Sequence, residues 1–164
     1  MKKIDKDGLL LCELQAEAFD LSISMTDSSS EIFIRRFMNS NTAKTMDSGA
    51  VLETNTTPRD LVSEIDEEYG ASNYGSVKYS RDEIFWIGYL YRYFAYYYAL
   101  TSSQVYKIVK PKELRGLYEA YHTLDVKQAI ERILEAKHLL RDREAEIKRQ
   151  YEIYKNIRLK SGNR

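Results

Sequence analysis

Between Phe85 and Tyr98 the chain places nine aromatics: Phe85, Trp86, Tyr89, Tyr91, Tyr93, Phe94, Tyr96, Tyr97 and Tyr98. No other segment restricts the fold as strongly. Ser80 followed by Glu83 is a capping-box pattern, so the aromatic run reads as a helix that opens just before it. A helix apolar on every side belongs at the centre of a fold. Tyrosine changes that expectation, because each buried hydroxyl needs a hydrogen-bond partner. Six tyrosines cannot all be deep core. We therefore expect Trp86, Leu90, Phe94 and Tyr97 to face inward, and Tyr89, Tyr93 and Tyr96 to reach an interface. Arg92, inside the run, is either a buried, paired cation or a contact residue. Residues 84–100 are too short and too rich in tyrosine for a bilayer span, which needs about 20 strongly apolar residues.

The rest of the chain supplies helix signals with short connections. Leu10, Leu14, Ala18 and Phe19 lie at helical spacing in a first helix from about Asp7 to Ser24. Ser28 with Glu31 opens a second through Met38, with Ile32, Phe33, Ile34, Phe37 and Met38 as its apolar face. Asn41 starts a short turn to Met46, and 47–57 reads as a loop. Thr57-Pro58 opens the next helix, which Gly70 stops. Its acidic end, Asp66-Glu67-Glu68, is disfavoured by the helix dipole and implies a nearby cation. Residues 71–79 form a second loop, with 77–79 as the sole extended candidate. Thr101-Ser102, Pro111 and Asp125 then open three further helices, the last expected to run to about Leu159. In that helix Val126, Ile133, Leu140, Ile147 and Tyr154 repeat every seven residues. The companion row reads Ile130, Lys137, Glu144, Tyr151, Arg158, so a two-sided coiled-coil seam is lost beyond Leu140. The expected fold is all-α: a compact multi-helix bundle around the aromatic helix (residues 1–136), with a long projecting C-terminal helix and charged extension (137–164).

A chain of 164 residues needs no metal or disulfide to hold a core. Cys12 stands alone among Leu9, Leu11 and Leu14 and reads as a small core residue. The lack of a cysteine framework, and a start carrying Asp5 and Asp7 where a signal core would be apolar, lead us to expect a cytoplasmic protein. Net charge is zero but unevenly spread. Residues 1–70 hold 7 Lys/Arg against 14 Asp/Glu, and residues 71–164 hold 18 against 11. That polarity either orients a partner or a second copy, or is neutralised internally.

Chemistry-bearing motifs are missing. His122 and His138 stand at no metal-ligand spacing, the serine run at 28–30 has no adjacent base, and no glycine-rich phosphate loop exists. We expect no cofactor, no metal site and no catalytic residue, with His122 satisfying a helix end. Lys107, Lys110, Lys112 and Arg115 cluster at a helix–turn–helix-like junction, so DNA binding as an autorepressor is a competing expectation. An unrecognised enzyme with a pocket around His122, Arg92 and tyrosines is another.

Three stretches carry a resemblance. They are Glu31-Ile32-Phe33-Ile34-Arg35-Arg36-Phe37-Met38-Asn39-Ser40 with Ala43 and Asp47; Phe85-Trp86-Ile87-Gly88-Tyr89-Leu90-Tyr91-Arg92-Tyr93; and Ser102-Ser103-Gln104-Val105-Tyr106-Lys107-Ile108 with Tyr118, His122-Thr123-Leu124 and Ala129-Ile130. Together they resemble a family of small bacterial helical proteins of toxin–antitoxin-like cassettes, encoded beside ADP-ribosyltransferase-like proteins. The resemblance spans residues 10 to 135, and the tail after Ala136 departs from it. It implies an antitoxin-like binding protein that neutralises a cognate toxin by direct contact. The expected contact residues are Tyr89, Arg92, Tyr93 and Tyr96 on the aromatic helix, and Arg141, Arg143, Tyr151 and Tyr154 on the tail.

Overall fold

Side-chain oxygens set most of the helix starts. The computed structural model describes residues 3–137 and 139–162, with the side-chain surroundings of 139–146 and 161 excepted. Asp5 caps α1 (Lys6–Met25) by accepting from Gly8 N. Ser29 caps α2 (Ser30–Met38) and Ser40 caps α3 (Asn41–Ser48). Full capping boxes open α4 (Pro58–Tyr69) through Thr57 and Asp60, α5 (Arg81–Tyr97) through Ser80 and Glu83, and α6 (Ser102–Ile108) through Thr101 and Gln104. Pro111 opens α7 (Pro111–Tyr121), where its missing N–H is harmless. The described residues form nine α-helices and a short 3-10 turn at Ala50–Glu53, with no strand. The all-α expectation holds.

The segment expected to be one last helix is two. α8 (Val126–Ala136) ends before a turn at Lys137, and α9 (Leu139–Ser161) follows. The interruption falls where the companion row changes from Ile130 to Lys137, so only the single row of Ile133 and Leu140 spans it. His138 lies outside the described residues. The chain forms two compact units, Met1–Val126 and Lys127–Arg164.

In the first unit α1 and α5 make the most extensive helix pair. They run antiparallel, since Gly8 approaches Tyr96, Gln15 bonds to Arg92, and Asp20 bonds to Arg81. Two glycines permit this. A Cβ on Gly8 would stand 2.7 Å from the Tyr96 ring, and one on Gly88 would stand 2.8 Å from the Phe19 ring. The Gln15 amide also donates to the Gly88 carbonyl at 3.0 Å. Phe19 then meets Phe33 and Phe37 of α2 edge-on, at centroid distances of 5.5 and 5.1 Å. Leu61, Val62 and Ile65 of α4 are also buried, and α4 packs against α1. Cys12 is fully buried, as expected, and burial pushes its thiol up to about 12.

The loop after α4 is not a strand, because its carbonyls have other work. Tyr74 O and Val77 O accept from Ser29 N and Ser30 N, the otherwise unsatisfied donors at the start of α2. The Ser30 hydroxyl in turn accepts from Tyr79 N. The cation implied by the acidic end of α4 is Arg36, which donates to Gly70 O at 2.8 Å and lies 5.4 Å from the Tyr69 ring centre. Glu68 finds a second outlet at the start of α3, accepting from Asn41 N.

The end of α5 is a Schellman turn with the wrong residue. Ala99 N–H donates to Tyr96 O and Leu100 N–H to Ala95 O, and Ala99 adopts φ 53° where glycine is usual. Replacing Ala99 by Gly should stabilise the protein by about 1 kcal/mol, visible as a thermal midpoint raised by about 2–4 °C. Gly88→Ala acts in the opposite sense. Overpacking against Phe19 should remove about 1–3 kcal/mol, measured as a lower urea midpoint with an unchanged slope.

Candidate functional site

Arg92 is the centre of the first unit, and its surroundings decide what it does. It is 2% exposed, and three different helices supply its partners. Nε donates to Gln15 Oε1 on α1 at 2.8 Å, Nη1 to Asp47 Oδ1 on α3 at 2.7 Å, and Nη2 to Ser102 Oγ on α6 at 2.7 Å. Ser102 passes the contact on, since its hydroxyl donates to Asp47 Oδ1 at 2.6 Å and its backbone N–H donates to the same carboxylate. The Asp47 carboxylate thereby also sits at the N-terminus of α6, where the helix dipole favours an anion. Burial lowers the Arg92 guanidinium from its ordinary value while Asp47 raises it. Arginine starts high enough to remain charged at neutral pH.

This corrects the expected role of Arg92. A cation with three internal partners and 2% exposure offers nothing to a binding partner. Tyr93 is corrected likewise: it is 7% exposed and its ring stacks on Tyr97 at 6.0 Å. Tyr89 and Tyr96 keep partial exposure, and the Tyr96 hydroxyl donates to Asp5 Oδ1 at 2.6 Å. The deepest tyrosine is Tyr91, fully buried, whose hydroxyl donates to Val109 O at 2.6 Å. Sequence offered one hint of this, since Tyr91 lies beside Arg92 and within one turn of Phe94 and Ile87. Its acceptor, a backbone carbonyl 18 residues away, left no trace in the pattern.

A cleft of about 500 Å³ adjoins the polar knot, lined by Asp7, Asp47, Glu53, Tyr96, Ala99 and Leu100 among others. No group of three His, Cys, Asp or Glu able to hold a metal occurs among the described residues. His122 closes the end of α7, with Nδ1 donating to Tyr118 O at 2.7 Å and its ring stacked on Tyr118 at 4.3 Å. No family model, curated protein or solved structure matches the chain. No helix among the described residues is long and apolar enough to cross a membrane.

The exposed candidates are on α9. Tyr151 and Tyr154 are 69% and 70% exposed, and Ile147, Ile153, Ile157 and Leu159 are exposed with them. The side chains of Arg141 and Arg143 lie outside the described residues. At about 100° per residue, Ile147, Tyr151, Ile153, Tyr154 and Ile157 fall on one arc of about 160°, while Lys148, Arg149, Glu152, Lys155 and Lys160 fall opposite. Tyr151, Tyr154, Lys155, Arg158 and Leu159 together enclose an open notch of about 440 Å³.

These assignments separate by experiment. Arg92→Met should cost about 3–5 kcal/mol of stability, because it strands Asp47 without its charge partner. In urea titrations the double variant with Asp47→Ala should lose clearly less than the sum of the two single losses. A surface role for Arg92 would instead leave the titration curve unmoved.

Proposed function

We propose that this chain is an antitoxin-like binding protein that neutralises a cognate toxin by direct contact, with α9 as the principal contact element. The observation that carries this is the row of large apolar side chains that α9 leaves in solvent. Contiguous exposed apolar surface on a folded chain marks an interaction site more often than chance. Tyr151, Tyr154 and Arg158 in the notch belong to the residue types that concentrate binding energy at interfaces. The resemblance at residues 31–47, 85–93 and 102–130 is what points to an ADP-ribosyltransferase-like protein as the partner in this proposal. The mechanism is steric: a helix laid across the toxin's nucleotide or substrate cleft excludes its ligand.

DNA binding is less well supported. Two of the four cations at the α6–α7 junction are engaged within the chain. Arg115 pairs with Glu83 at 3.2 Å and lies over the Tyr79 ring at 4.5 Å, and Lys110 lies over the Tyr106 ring at 4.1 Å.

Co-expression with the protein encoded next to it tests the proposal. The chain should copurify with that neighbour and relieve its toxicity; separate elution with undiminished toxicity would sink it. Tyr151→Ala combined with Tyr154→Ala should weaken the complex by about 30-fold or more, read by calorimetry, while the far-ultraviolet circular dichroism of the chain stays unchanged.

A further inference from the structure

The cleft beside the Arg92 knot joins two kinds of lining. Three carboxylates reach it from separate elements: Asp7 from the first turn of α1, Asp47 from the last turn of α3, and Glu53 from the 3-10 turn. Between them the wall is hydrocarbon. Leu11 stands one turn along α1 from Asp7, Leu52 precedes Glu53, and Ala95 and Leu100 come from α5 and the turn that ends it. The floor is apolar, since Leu11 and Ala95 are each 2% exposed. Lysine, arginine and histidine contribute nothing to this lining.

The three carboxylates differ in what already holds them. Asp47 Oδ1 accepts from Arg92 Nη1, Ser102 Oγ and Ser102 N. Its Oδ2 accepts from Ser102 N alone, at 3.0 Å, and so keeps acceptor capacity. Asp7 and Glu53 are exposed, and among the described residues their carboxylates meet no donor or cation of the chain. Other acids of the first half do find one: Asp20 has Arg81, Glu31 has Tyr79, Glu64 has Thr42 and Glu68 has Asn41 N. Part of the acid excess of residues 1–70 is therefore left open at a hollow of about 500 Å³, a volume typical of small-molecule sites. A small inorganic cation would use the carboxylates and leave the hydrocarbon uncovered. A neutral apolar ligand would cover the hydrocarbon and leave the charge unanswered, and an anion would be repelled. We propose that the cleft binds a linear organic cation, an ammonium or guanidinium head on an alkyl stem. The carboxylates share the head, and the stem lies on Leu11, Leu52, Ala95 and Leu100. The same chemistry is offered by a free alkyl amine and by an arginine or lysine side chain presented on a peptide.

The site stands apart from the toxin proposal, because α9 contributes nothing to it and the measurement needs no toxin. Butylguanidinium, titrated into the full-length chain and followed by calorimetry and methyl nuclear magnetic resonance, should bind with a Kd on the order of 0.1–1 mM, as fits a ligand of its size. The methyl signals of Leu11, Leu52 and Ala95 should shift with it. Butylurea, the same shape without the charge, should bind at least about 10-fold more weakly. Asp7→Asn and Glu53→Gln should each weaken butylguanidinium binding about 5-fold, and together about 25-fold. Circular dichroism should stay unchanged in both, since both side chains are exposed. Agmatine and a capped arginine, Nα-acetyl-arginine methylamide, tell the two sources apart. Tighter binding of agmatine assigns the cleft to a free amine, and tighter binding of the capped arginine assigns it to a side chain of a partner. The proposal is overturned by the absence of saturable binding, by butylurea binding as well as butylguanidinium, or by an unaltered affinity in the double variant. Calcium chloride shifting the same methyl signals as strongly would overturn it too, as would shifts confined to residues outside the cleft.

Discussion

One guanidinium holds the first unit's helices in a single arrangement. Arg92 projects from α5 into a site where α1, α3 and α6 each present one oxygen, Gln15 Oε1, Asp47 Oδ1 and Ser102 Oγ. Removing a charge from water is expensive, of the order of several kcal/mol even after relaxation. The arrangement persists because charge-assisted hydrogen bonds at 2.7–2.8 Å replace the lost hydration. Directional bonds to three helices tolerate little sliding. Apolar contacts alone would allow α3 and α6 to shift against α5, so the knot acts more on the uniqueness of the fold than on its net stability.

The helix pair that carries the knot depends on what is missing from it. Gly8 and Gly88 remove side chains where α1 and α5 come closest, and the Tyr96 and Phe19 rings take up the space. Close approach is also what lets Gln15 reach both Gly88 O and Arg92. The aromatic helix resolves its surplus of hydroxyls case by case. Tyr91 bonds to a carbonyl in the core, and Tyr96 bonds to Asp5 at the start of α1. Tyr79, just before α5, donates to Glu31, with burial and that carboxylate raising its phenol well above the ordinary range. The opposite charges of the two sequence halves are used in part internally, through Arg81 with Asp20 and Arg92 with Asp47.

The second unit follows a different rule. Its α8 buries Ala129, Ile130, Ile133 and Leu134, as a helix of ordinary amphipathic pattern does. α9 instead leaves its isoleucines and tyrosines exposed, and its basic residues lie mainly on the opposite arc.

Much of this was legible from residues alone. Apart from the start of α2, where Ser29 caps in place of the expected Ser28, the capping box at Ser80, the caps at Thr57 and Thr101, the stop at Gly70, the core position of Cys12 and the cation near Asp66–Glu68 all rest on interactions within a few residues or on a strong local preference. Such signals survive in a linear pattern. The sequence also determined that Arg92 would be either paired inside or used outside, and that α9 would carry a single apolar row. It could not choose for Arg92, because Gln15, Asp47 and Ser102 are distant along the chain and come together only when α1, α3 and α6 pack on α5. Tertiary structure decided that question, buried Tyr91 and Tyr93, and ended α8 at Ala136. Burial is a property of the whole packed assembly, and no periodicity within one helix states which of its polar groups will find a partner on another.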